Sequence, residues 1–160
     1  MKIIASLLLL PCLLSGQTYK QQTYIPPAVP DEVHLGMPLH TFQEKVRIEH
    51  LKEDKIQTYK KVYFHPAKEP EVNAIIYHFD RALQEQPLYE IIVRYEDRSM
   101  AKRSANELWG KPNFASDEGT VPDEWRFQPE AGPELWCWVY KTTLVIVGKV
   151  PGTAWAEDWE

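Results

Sequence analysis

Proline decides where this chain of 160 residues can be regular, because each of its thirteen prolines removes a backbone donor and fixes one dihedral. Pro26, Pro27 and Pro30 argue against helix at the start of the chain. Pro70 and Pro87 bound two segments rich in β-branched and aromatic residues, and Pro122, Pro129, Pro133 and Pro151 punctuate the C-terminal part. A helical bundle does not fit between such breaks. Short strands do.

Six strands are expected: Tyr59 to His65, Val72 to Phe79, Leu88 to Tyr95, Glu124 to Gln128, Leu135 to Tyr140 and Thr143 to Val150. Lys141-Thr142 is the tight turn between the last two, although it lacks the usual Gly or Asn. Two segments carry the helical period instead. Pro38 suits a first helical turn, and Leu39, Phe42 and Val46 come after it at helical spacing, which predicts a helix over residues 38–51. In the second, Asp97 or Ser99 caps a stripe of Met100, Ala101, Ala105 and Leu108, stopped by Gly110 and Pro112. One helix and three strands, then one helix and three strands, make an α+β domain. Its two helices are expected on one face of a largely antiparallel sheet of about six strands.

The first residues have a different purpose. Met1 and Lys2 open an apolar run through Leu14, and Ser15-Gly16 supply small residues, which is the pattern of a cleavable signal peptide over residues 1–16. Pro11 directly before Cys12 argues against a lipid anchor there. No later run reaches about 18 apolar residues, so the product is expected to be periplasmic or secreted without membrane insertion. Residues 17–35 read as an extended leader, either mobile or hugging the surface, with a single α+β domain from Gly36 to Glu160.

Removal of residues 1–16 leaves 144 residues, with 17 Lys and Arg against 23 Asp and Glu, a net charge of about −6. That acidity, without clustered cations, argues against nucleic acid or an anionic membrane as partner. Cys137 is then the one cysteine, expected as a small buried apolar residue rather than a reactive or intermolecular thiol.

Gly36-Met37-Pro38-Leu39 leading into an amphipathic helix resembles the start of the SmpA/OmlA outer-membrane assembly lipoproteins, whose domains share a helix-layered antiparallel sheet with the β-lactamase inhibitor protein. Leu108-Trp109-Gly110-Lys111-Pro112 is similar to the Leu-Gly-x-Pro element of that group, but it comes after the second helix and carries an extra residue. The resemblance implies a non-catalytic, partner-binding role.

Chemistry is hard to find in the residues. The five histidines, His34, His40, His50, His65 and His78, show no metal-ligand spacing, although His65 and His78 fall on neighbouring strands. There is no nucleophile elbow, phosphate loop or dinucleotide fingerprint, so no catalytic residue, metal or cofactor is assigned. Carboxylate pairs such as Glu96-Asp97 and Asp123-Glu124 sit at turns and point in different directions.

The aromatics say more. All six tryptophans lie between Trp109 and Trp159. In the run from Leu135 to Tyr140, alternation puts Leu135, Cys137 and Val139 on one face and Trp136, Trp138 and Tyr140 on the other. With helices on one side only, the aromatic stripe faces outward, joined by Tyr63 and by Arg94. Such a face has the composition of a binding hot spot for a protein partner. Four other readings stay open. The stripe is a second small core under the leader or the 113–123 loop, or it stacks a small ligand or carbohydrate, or an unrecognised hydrolase site is assembled from distant residues, or the chain forms a homo-oligomer through an edge strand or Cys137.

Overall fold

The computed structural model describes residues 22–47, 52–57, 60–65, 69–114 and 123–156. The expected signal peptide lies outside the described residues. After a short turn of 3₁₀ helix at Gln22–Tyr24 come α1 (Leu39–Lys45), β1 (Lys52–Gln57), β2 (Lys60–His65), β3 (Val72–Asp80) and β4 (Leu88–Tyr95). The chain continues through α2 (Arg98–Trp109), β5 (Glu124–Phe127), β6 (Leu135–Tyr140) and β7 (Thr143–Gly148). The strands form one antiparallel sheet in the order β1-β2-β3-β4-β7-β6-β5. The fold is therefore α+β, with two helices on one sheet face.

The central strand β7 reads as a continuous apolar run because its side chains are buried toward both sides, under the helices on one and among neighbouring side chains on the other. In β7, Leu144, Val145, Ile146 and Val147 are all buried. It pairs with β4 from Glu90↔Val147 to Arg94↔Thr143 and joins the two halves of the chain. On the helix side one row of side chains crosses six strands: Tyr63, Tyr77, Ile91, Ile146, Cys137 and Trp125, each opposite the next. All six are buried. Burying an aliphatic or aromatic side chain contributes roughly 1.5–3 kcal/mol, so this row is a major source of stability.

Each helix plugs one half of that face. Phe42 of α1 meets Tyr77 at 4.8 Å, Phe79 at 5.0 Å and Tyr63 at 5.7 Å between ring centres. α2 lays Ala101, Ala105 and Trp109 over β4, β6 and β7. Its signals act as expected: the Asp97 carboxylate accepts from the Met100 N–H, and Gly110 ends it at φ 70°. The two-residue turn at Lys141-Thr142 is also present.

Three expectations are corrected. α1 stops at Lys45, not residue 51, and Val46 is already extended. β1 then adds a seventh strand, whose sequence Lys-Glu-Asp-Lys-Ile-Gln has no apolar alternation because it forms a sheet edge. The leader is not a surface segment either. Ile25, Val29, Val33 and Leu35 are buried in the same core as the helices, so residues 22–35 act as a strap inside the domain. Leu35 lies so close to Gly148 that an added Cβ would stand 3.0 Å from both Leu35 Cβ and Pro133 Cγ.

Two substitutions test this packing. Gly148→Ala should cost about 1–3 kcal/mol by overpacking the strap against β7, read as a lower Tm. Tyr77→Phe should be neutral or raise stability by about 1 kcal/mol, since the buried Tyr77 hydroxyl has no hydrogen-bond partner among the described residues. Loss of stability in Tyr77→Phe would mean that the hydroxyl is satisfied in solution.

Candidate functional site

The sheet face turned away from both helices carries three rows of side chains. The middle row is apolar: Phe64, Ile76, Ile92, Val145 and Trp138 stand opposite one another across five strands. Beside it runs a short row of Arg94, Thr143 and Tyr140. On the other side run His78, Glu90, Val147, Trp136 and Arg126. Four of the five expected binding residues, Trp136, Trp138, Tyr140 and Arg94, therefore share this face. Tyr63 does not. It is 3 % exposed on the helix side, opposite Tyr77 and against Phe42 and Phe79. The alternation along β2 is thus the reverse of the one expected, and Phe64 takes the outward place.

The aromatic stripe is graded rather than uniformly open. Trp136 is 7 % exposed because charged side chains roof it: the Arg126 guanidinium lies 4.1 Å from the ring centre and the Lys149 ammonium 4.5 Å away. Its indole N–H donates to Glu134 at 2.8 Å, and Glu134 pairs with Lys149 at 3.1 Å. Burial by itself raises the Glu134 carboxyl, but the Trp136 and Lys149 bonds win and hold it below the usual carboxylate value. Trp138 is half-buried, its ring centre 6.4 Å from that of Trp155 in the chain after β7. Tyr140 is 56 % exposed, and Arg94 beside it is exposed with no ion-pair partner among the described residues.

Sequence reasoning missed one constellation on this face. Leu88 and Ile91 are both fully buried on the helix side, which breaks the alternation in β4 by one residue. The pairing shifts at the same place, between His78 and Phe79 on β3. This bulge leaves Tyr89 and Glu90 together between two inward residues, and Glu90 bonds directly to His78 Nδ1 across the strands. An ionised Glu90 fixes the Nδ1–H tautomer and leaves Nε2 as the second ring nitrogen. Among the described residues no hydroxyl or thiol is bonded to either partner. His65, by contrast, stands opposite Ile75, three residues along β3 from His78.

Among the described residues no group of three His, Cys, Asp or Glu could hold a metal ion, and no helix is long and apolar enough to cross a membrane. Cys137 is fully buried, and burial foremost, then Glu124, pushes its thiol well above the ordinary range. It is a core residue rather than a reactive one. Among protein-family models, curated proteins and solved structures, none matches this chain.

The roof over Trp136 should respond to acid. Because the Glu134 carboxyl is depressed in the folded chain, its contribution is present above the unfolded carboxylate value and is lost as pH falls through the folded one. Glu134→Gln should cost roughly 0.5 kcal/mol at pH about 7, a small figure because the site is one-third exposed. Thermal melts of both proteins should converge as pH falls through the folded carboxyl's lowered value. A gap that stays constant with pH would show that the carboxylate charge plays no part.

Proposed function

We propose that this chain is an exported, non-catalytic binding module that engages a protein partner through the open sheet face. One observation carries the reading: an apolar row five strands wide, with Ile76 and Val145 buried and Phe64, Ile92 and Trp138 half-buried, ends beside the exposed Tyr140 and Arg94. Aromatic and arginine anchors around an apolar centre are the composition of interface hot spots.

The sheet edges support the face over the edges as the place of contact. The β1 edge is rich in charge, four of its six residues being Lys, Glu or Asp. At the other edge, the Asn113 side chain accepts from the Arg126 N–H and donates to the Arg126 carbonyl, both at 2.8 Å. Phe114 adds a backbone bond to Glu124 and stacks on the Arg126 guanidinium at 3.4 Å. Strand addition is thereby discouraged. A protein partner is favoured over a sugar because the Trp138 ring is already partly occupied by Trp155. Export rests on the charged, apolar and small-residue order of residues 1–16. The likeness of Gly36-Met37-Pro38-Leu39 to the SmpA/OmlA lipoproteins accords with an extracytoplasmic binding role.

Site-specific photo-crosslinking in the producing cell tests the reading. A photoreactive residue at position 140 should give one discrete protein adduct, and the same residue at position 45 on α1 should give none. Arg94→Ala with Trp138→Ala should weaken the adduct by at least about tenfold while melting stays cooperative. Equal adducts from both positions, or an adduct indifferent to the double substitution, would sink the assignment.

A further inference from the structure

The helix side of the sheet holds an open groove of about 380 Å³ where β3 begins and β4 ends. Its walls come from three separate parts of the chain: the strap at Pro26 to Ala28, the turn at Glu69 to Val72, and α2 from Met100 to Glu107. The lining is apolar at its base. Val72 and Tyr95 belong to the buried core, and Ala28 and Met100 pack partly exposed against it. One polar handle sits among them, the Tyr95 hydroxyl bonded to Ser104 Oγ at 2.7 Å.

The rim is acidic. Glu69, Glu71 and Glu107 all line the groove with a single cation, Arg103, which is tied to Glu71 at 2.6 Å. Glu69 and Glu107 are exposed and make no ion pair among the described residues; Arg103 also acts on Glu107 at longer range, but three carboxylates line the groove against this one cation. Burial raises the Tyr95 hydroxyl first, the Ser104 hydrogen bond opposes it, and Glu69, Glu71 and Glu107 each raise it further. An apolar hollow of this size with a few convergent polar groups has the form of a small-molecule site.

We propose that this groove binds a small organic ammonium compound, its apolar body against Ala28, Val72 and Met100 and its cationic end toward Glu69 and Glu107. An anion is disfavoured by these two carboxylates, and a neutral apolar molecule leaves them unused. A fully hydrated inorganic cation gains nothing from the apolar base. The groove and the open face lie on opposite sides of the sheet, so this site stands or falls independently of the protein-binding reading.

Phenethylamine is a suitable probe, with 2-phenylethanol as its neutral counterpart and 3-phenylpropionate as its anionic one. Titration followed by amide and Met100 methyl NMR shifts should show saturable phenethylamine binding below about 10 mM, weakening as salt is raised. The alcohol should bind at least fivefold more weakly, and the acid should not bind. Glu69→Gln with Glu107→Gln should lower phenethylamine affinity roughly fivefold to tenfold, as expected for two partly exposed charges. Both glutamates are exposed, so the double variant should keep its Tm. No shift at Met100 up to that concentration, equal binding of the alcohol, or unchanged affinity in the double variant would each overturn the proposal. Tighter binding of a blocked lysine dipeptide than of phenethylamine would assign the groove to a peptide side chain and overturn the small-molecule reading.

Discussion

The pairing of β4 with β7 is the contact on which the rest of the molecule depends. β1 to β4 form one meander and β5 to β7 another, and within the sheet they are joined by the five registered pairs from Glu90↔Val147 to Arg94↔Thr143, extended by the Tyr95 N–H donating to the Thr142 carbonyl. The two strands are separated by α2 and the whole second meander, so closing this contact costs loop entropy before any burial offsets it. The offset comes from both faces at once. Ile91 and Val93 meet Ile146 and Leu144 toward the helices, while Ile92 meets Val145 on the other side. Without that junction the Phe64-to-Trp138 row is two unrelated apolar ribbons, and α2 has nothing continuous to cover.

The two faces solve the same burial problem by different means. On the helix face, rings and aliphatic side chains exclude water outright, and the two indole donors are satisfied by backbone: Trp109 gives to the Tyr24 carbonyl and Trp125 to the Gly110 carbonyl. On the other face no helix arrives, and long charged side chains lie over the aromatics instead, with Arg126, Lys149 and Glu134 around Trp136. That explains why the stripe on β6 runs from covered to open. Trp136 is paired off by its neighbours, Trp138 is shared with Trp155, and Tyr140 reaches solvent at the turn. The exposed part of the face is the Tyr140 and Arg94 end.

Much of this was legible in the sequence where burial is lopsided or endings are chemical. α2 announced itself through Asp97 and Gly110, and β6 through strict alternation from Leu135 to Tyr140. β3, β4 and β7 stood out as β-branched runs between breakers. The failures share a physical cause. β1 is an edge strand whose charged sequence shows no apolar alternation, and the strap is irregular, so the spacing of Ile25, Val29 and Val33 matched no element although all three are core. In β2 both faces hold aromatics, Tyr63 inward and Phe64 outward, so pattern alone could not choose the register. The His78–Glu90 pair depends on a bulge and a cross-strand register, neither of which a single strand's sequence encodes.

The two proposed surfaces meet back to back at the end of β4, where Arg94 faces the open side and Tyr95 lines the groove. Adjacency does not make them coupled. Coupling requires an element with two arrangements that each ligand biases differently. β4 is hydrogen-bonded on both edges, to β3 and β7, and its side chains are fixed on the helix face by Ile91 and Val93. A strand so held has one arrangement, so it separates the two sites. The strap is the more adaptable wall: Pro26 to Ala28 closes the groove through irregular backbone, and the strap is anchored at Tyr24 by one indole bond and a ring stacked on Phe127 at 4.6 Å. Any adjustment to an occupant of the groove therefore falls on the strap, and the geometry of the open face is left unchanged.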